Sequence, residues 1–171
     1  GQFVNFTSLI FRRNLWIAQA SGGTAYLWYM TTTSLGRNTV ILFQDDRGNI
    51  NASVSAYILV LSSSHMYDSR ITFEGCQWNM TSVTSTVTMV HLLASLWNHS
   101  SLIIKNTMVN ASSTTGGTVG GIRFATTSKL ILGSRLEISG EGTGWSFKTL
   151  KSGGVPALAT VFFIQMDTAN T

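Results

Sequence analysis

Apolar and polar positions recur along this chain with a period close to 31 residues. The run Thr7-Ser8-Leu9-Ile10-Phe11 returns as Asn38-Thr39-Val40-Ile41-Leu42, Ser69-Arg70-Ile71-Thr72-Phe73 and Ser100-Ser101-Leu102-Ile103-Ile104. It returns again as Ser128-Lys129-Leu130-Ile131-Leu132 and Ala159-Thr160-Val161-Phe162-Phe163, the starts falling 31, 31, 31, 28 and 31 residues apart. A fixed period in this range marks a solenoid, in which each unit buries its apolar face only by stacking on its neighbours. Residues two apart share one face of a strand. The alignment therefore predicts two inward columns, Leu9, Val40, Ile71, Leu102, Leu130 and Val161 in one, and Phe11, Leu42, Phe73, Ile104, Leu132 and Phe163 in the other.

A second strand signal follows each start by about eighteen residues, as Ala25-Tyr26-Leu27-Trp28, Ala56-Tyr57-Ile58-Leu59 and Val87-Thr88-Met89-Val90. The fourth unit is glycine-rich around Thr118 to Phe124 and reads as shorter. Segments such as Leu15-Trp16-Ile17 and Leu136-Glu137-Ile138 supply a third short strand. Ser21-Gly22-Gly23, Asp45-Asp46-Arg47-Gly48-Asn49, Thr114-Thr115-Gly116-Gly117 and Gly140-Glu141-Gly142 carry turn chemistry between them. The expected fold is all-β: a right-handed parallel β-helix of five to six coils. Residues 1–171 form one segment of it, read as cut from a longer array whose neighbouring repeats are its first partners. Propeller blades need longer units, and no segment has a helical period.

Composition agrees with strand and turn. About a quarter of the chain is Ser plus Thr, and charged residues are only 11% of it. The net charge of +4 comes from scattered basic residues, with Arg12-Arg13 the one adjacent pair. No basic stripe suggests nucleic acid. The single cysteine, Cys76, reads as a buried thiol rather than a nucleophile. No signal peptide is visible, and the longest apolar stretch, Val155 to Met166, is too short to span a bilayer.

Five sequons are the strongest site signal: Asn5, Asn51, Asn79, Asn98 and Asn110 each open an Asn-x-Ser/Thr triplet. Asn5 and Asn98 fall at one repeat position, and Asn79 and Asn110 at another. An enzyme of the polysaccharide lyase or hydrolase class would need clustered carboxylates. Here Asp45-Asp46, followed by Arg47, is the only acidic pair, and the alignment sets Cys76-Gln77 and Thr107-Met108 beside it rather than further acids. The pair reads better as a turn, and no catalytic residue is assigned outside that alternative. His65, His91 and His99 lie apart, without ligand spacing to one another, so neither metal nor cofactor is expected. The glycine-rich pieces lack the Lys-Ser/Thr ending of a phosphate loop. Trp16 and Trp78 occupy one column and read as core filling rather than a sugar-stacking face.

Ser69-Arg70-Ile71-Thr72-Phe73-Glu74-Gly75-Cys76 and Ser100-Ser101-Leu102-Ile103-Ile104-Lys105-Asn106-Thr107 resemble the units of the dispersed gene family surface proteins of trypanosomes, of the form Ser-x-Leu-x-Ile-x-x-Asn/Cys. The resemblance covers residues 38 to 140. It implies a pectin-lyase-like fold, sequon use, an extracellular position on a membrane-anchored parent, and adhesion to host cells, matrix or glycans. It carries over no catalytic residue.

Overall fold

In a computed structural model, residues 2–3, 8–32, 34–125, 128–131, 133–149 and 157–164 are described. These residues form strands, turns and bends, with no helix among them. The strands assemble into four parallel sheets, each five strands deep, and the chain visits the sheets in turn before stepping to the next rung about 31 residues later. This is β-solenoid architecture, with four strands per coil rather than the two or three expected.

The first sheet stacks Ser8–Arg12, Val40–Gln44, Arg70–Glu74, Ser101–Lys105 and Arg135–Ser139. Its inward columns are Leu9, Ile41, Ile71, Leu102, Leu136 and Phe11, Phe43, Phe73, Ile104, Ile138. The three phenylalanines stack face to face, with centroids 5.2 and 4.7 Å apart. The second sheet holds Leu15–Ala20, Arg47–Ala52, Gln77–Ser82, Met108–Ser113 and Gly144–Thr149. One of its inward columns alternates large and small: Trp16, Gly48, Trp78, Val109, Trp145. The six-membered ring of the Trp78 indole fills the space a Gly48 side chain would need.

The third sheet holds Ala25–Thr31, Ala56–Ser62, Val87–Leu93, Gly117–Ala125 and Ala157–Ile164. From Ala56 to Leu61 every residue is buried, so both faces of that strand are covered. The fourth sheet is narrow: Gln2–Phe3, Ser34–Leu35, His65–Tyr67, Leu96–Asn98 and Lys129–Ile131, with Leu35, Met66 and Trp97 pointing inward.

Several sequence expectations are corrected by this register. Val40 pairs with Ser8 and Arg70, is 37% exposed and faces outward; Ile41 and Phe43 take the core positions, leaving Leu42 in the outward column of Ile10 and Thr72. Leu130 lies on a strand of the fourth sheet, and Leu136 continues the first. Val161 and Phe163 lie on a strand of the third sheet, while Leu132 is outside the described residues. The 28-residue spacing therefore joined two different sheets, and the coil from Leu102 to Leu136 is longer than its predecessors. Leu15 and Leu136 also belong to different sheets. Arg47-Gly48-Asn49 opens a strand, so only Asp45 and Asp46 form that corner.

Three of the four corners share one device. A residue in the left-handed region turns the chain: Arg13, Asp45, Gly75, Asn106 and Gly140 between the first and second sheets, Thr32, Ser63 and Ala94 between third and fourth, Asn38, Asp68, His99 and Gly133 between fourth and first. At most of these corners a small polar residue follows and points inward. The Ser64, Ser69, Ser95 and Thr107 hydroxyls each donate toward a carbonyl two residues back and another in the preceding coil, at 2.7 to 3.3 Å. The Cys76 thiol does the same toward Phe43 and Glu74. Some hydroxyls also accept: Ser69 N–H donates to Ser100 Oγ at 3.1 Å, and Ser95 N–H to Ser128 Oγ at 3.2 Å.

Two pairs of substitutions test the register. Ile41→Asp buries an unpaired charge and should cost more than about 4 kcal/mol, while Val40→Asp should stay within about 1 kcal/mol in chemical denaturation. The reverse order would mean that the strand is flipped. Gly48→Val should cost about 1–3 kcal/mol by overpacking against Trp78, whereas Gly22→Ala, with open space around it, should leave the thermal midpoint nearly unchanged.

Candidate functional site

Solvent meets two chemically distinct surfaces around the second sheet. On its outer face, Asn49, Asn79 and Asn110 occupy one column, and Asn51, Thr81 and Ser112 the next. Inter-rung spacing of about 4.8 Å suits amide-to-amide bonding. Asn79 Nδ2 donates to Asn49 Oδ1 and Asn110 Nδ2 donates to Asn79 Oδ1, both at 3.2 Å. Thr81 Oγ1 donates to Asn51 Oδ1 at 2.6 Å. Across these three rungs the two columns are uncharged amides and hydroxyls; Ile17 and Gln19 head them, and Ser146 and Lys148 end them.

Three of the five sequon asparagines, Asn51, Asn79 and Asn110, lie on this face. Asn79 and Asn110 are direct neighbours, as their shared repeat position implied. Asn98 ends a strand of the fourth sheet, half-buried, with its Oδ1 out of solvent and unpartnered among the described residues. Asn5 lies outside the described residues.

At the corner where the first sheet gives way to the second, a groove of about 700 Å³ runs across three coils. Arg13, Asn14 and Leu15 come from one coil, Asp45 and Arg47 from the next, Gly75 and Gln77 from the third. A smaller hollow of about 340 Å³ adjoins it, bounded by Arg12, Arg13, Gln44 and Asp45. Asp45 and Arg47, two members of the acid–base alternative, thus share one groove. Asp46 does not join them. It is fully buried in the corner wall, where its Oδ1 accepts from Asn14 N–H at 2.7 Å and Asn14 Nδ2 at 3.0 Å. The alignment is also corrected here: Asp46, not Asp45, shares the inward corner column with Cys76 and Thr107, because the intervening coil is one residue shorter.

The charges divide in the same way. Arg37 pairs with Asp68 at 3.6 Å, Lys105 with Glu74 at 3.6 Å and Arg135 with Glu137 at 2.6 Å. Arg12, Arg13 and Arg47 make no ion pair among the described residues. Separation in sequence hid one contact: His99 lies 3.9 Å from Asp68, one coil away, on an exposed corner.

Aromatic residues are sorted by face. Trp78 and Trp97 are buried, as core filling requires. Outside, Tyr26 stacks on Tyr57 at 5.4 Å, Tyr57 on His91 at 5.4 Å, and Tyr29 lies 4.9 Å from Tyr26. Sequence reasoning missed this outer stack, although Tyr26 and Tyr57 already stood at equivalent repeat positions. Burial, then the neighbouring Arg123 charge, lower the His91 pKa to about 4. Cys76 is a free, fully buried thiol, and burial pushes its pKa up to about 12.

No family model, curated protein or solved structure matches this chain.

Two measurements follow. The Cys76 thiol should resist disulfide reagents at pH 8 in the native protein and react fully in denaturant; fast native labelling would contradict its place in the corner wall. The unfolded His91 imidazole titrates near 6.5 and the folded one near 4. Its contribution to stability is therefore complete above about pH 6.5 and is lost as pH falls toward 4. Urea midpoints should show that slope, and His91→Gln should flatten it.

Proposed function

We propose that this chain is a non-catalytic cell-surface β-helix module that displays glycans and binds host cells, matrix or carbohydrate through its outward faces. The observation that carries the reading is the fate of the only adjacent carboxylate pair. Asp46 is held within the corner wall by Asn14, and Asp45 turns the chain at a φ of 55°. Hydrolytic or lyase chemistry on a β-helix needs acid and base groups that both reach one substrate, and among the described residues a single carboxylate, Asp45, lines the groove. The Asn/Thr/Ser columns beside it offer hydrogen bonds to sugar hydroxyls, and the sequons on that face suit a secreted protein.

The finer architectural reading belongs to the same proposal: a right-handed solenoid of five to six coils, in keeping with the strong preference for right-handed crossovers between parallel strands. Neighbouring repeats of a parent array are its immediate partners, and the parent is membrane-anchored on the extracellular side. The likeness to the trypanosome dispersed gene family rests on the Ser-x-Leu-x-Ile phrases alone. The alternative of a polysaccharide lyase or hydrolase keeps Asp45 and Arg47, which do share the groove.

Incubation with polygalacturonate and other acidic glycans, alongside a binding assay on cells and matrix, separates the two. Saturable binding without chain cleavage is the expected result. Turnover abolished by Asp45→Asn would replace this reading with the enzymatic one. Expression through a eukaryotic secretory route should add mass removable by an N-glycan amidase, and an unmodified secreted product would count against glycan display.

A further inference from the structure

The corner groove and the hollow that adjoins it hold three arginines that the fold does not require. At the columns of Arg12, Arg13 and Arg47 the next coils carry Gln44, Asp45 and Gln77, and the fold is the same. Arg13 is the more telling. It sits at φ 56°, where the other corners of its column use Asp, Gly or Asn, the residues that tolerate this conformation best. A long cationic side chain at a backbone position that disfavours it points to a role outside folding.

We propose that this groove, together with its adjoining hollow, binds an anionic oligosaccharide, its sulfate or carboxylate groups held by the guanidinium groups of Arg12, Arg13 and Arg47. The proposal rests on the reading of the chain as a non-catalytic surface module and names the ligand class of that module. Guanidinium presents paired N–H donors that match planar carboxylate and tetrahedral sulfate alike. None of the three is neutralised by an ion pair among the described residues, and Asp45 is the single acid between them. Gln77 adds a neutral amide, and Leu15, 68% exposed, gives the groove a nonpolar rim for the C–H face of a sugar ring. The adjoining Asn49, which opens no sequon, extends the surface with an uncharged amide. A nucleic acid is disfavoured by the same observations. It would call for a longer stripe of cations tracking successive phosphates, whereas the two outward columns beside the groove carry one cation among the described residues, Lys148, three rungs from Asn51.

The test uses the whole chain with fluorescein-labelled probes: a heparin-derived hexasaccharide, its desulfated counterpart, a galacturonate hexamer and a single-stranded DNA oligomer whose charge matches that of the heparin probe. Each arginine is changed to a residue already found in its own column, as Arg12→Gln, Arg13→Asn and Arg47→Gln, so the fold is kept. Thermal midpoints equal to the parent's are the control for this. The triple variant should lose at least about ten-fold in affinity for the anionic sugars and show a shallower salt dependence. Arg37→Gln and Arg135→Gln, outside the groove, should bind as the parent does. Preference for the sulfated over the galacturonate probe, or the reverse, assigns the anion. Unchanged affinity in the triple variant, or DNA binding as tight as sugar binding, would overturn the proposal. Cell binding that survives in the triple variant sinks the groove and spares the adhesion reading. Oligosaccharide binding without any cell or matrix binding does the opposite.

Discussion

Every coil of this protein has to turn its backbone at the corners without leaving buried N–H and C=O groups unpaired. Strand amides find partners in the rung above and below, but at a corner the ladder is interrupted, and an unpaired buried polar group there costs about 1–3 kcal/mol. The solution is a two-residue unit, a left-handed residue followed by a small inward-pointing donor. Ser64, Ser69, Ser95, Thr107 and Cys76 all occupy that second position. Because each bonds to its own coil and to the preceding one, the corner fixes the stacking register as well as the turn. The inward columns, the Phe11–Phe43–Phe73 stack and the placement of every outward residue follow from that register.

The same rule explains what the sequence disclosed and what it concealed. The period was legible because the corner serine and the two apolar positions after it recur together. The parity of the second unit was not, because Val40-Ile41-Leu42-Phe43 is apolar throughout and alternation cannot choose a face. The buried Thr39 chooses it: Thr39, not Asn38, is the counterpart of Ser69 and Ser100. Ser128-Lys129-Leu130 imitates the first-sheet motif because the corner before the fourth sheet uses the same grammar, and Ser128 matches Ser95. Two corners with one local pattern are indistinguishable until pairing across coils is known.

The site was only partly legible for a related reason. Asp45 and Arg47 stood out as an acidic pair with a neighbouring cation, yet alternation could not say that Asp46 would point into the wall. The groove depends on Arg13 meeting Arg47 across a coil boundary, a separation that no local motif spans. In the Asp46 position a carboxylate replaces the thiol of Cys76 and the hydroxyl of Thr107. It accepts from the preceding coil where a hydroxyl could both donate and accept. The corner thus tolerates chemical variation so long as something small and polar faces inward, which leaves the outward residues free to diverge into surface function.

Amide hydrogen exchange at Ser69 and Ser95 tests this account most directly. Their N–H groups donate to the hydroxyls of Ser100 and Ser128 in the next coil. Both should exchange as slowly as the central strand amides, and Ser100→Ala should release Ser69 while leaving Ser95 protected. Rapid exchange at both positions in the unaltered protein would contradict the claim that the corner side chains hold the stack together.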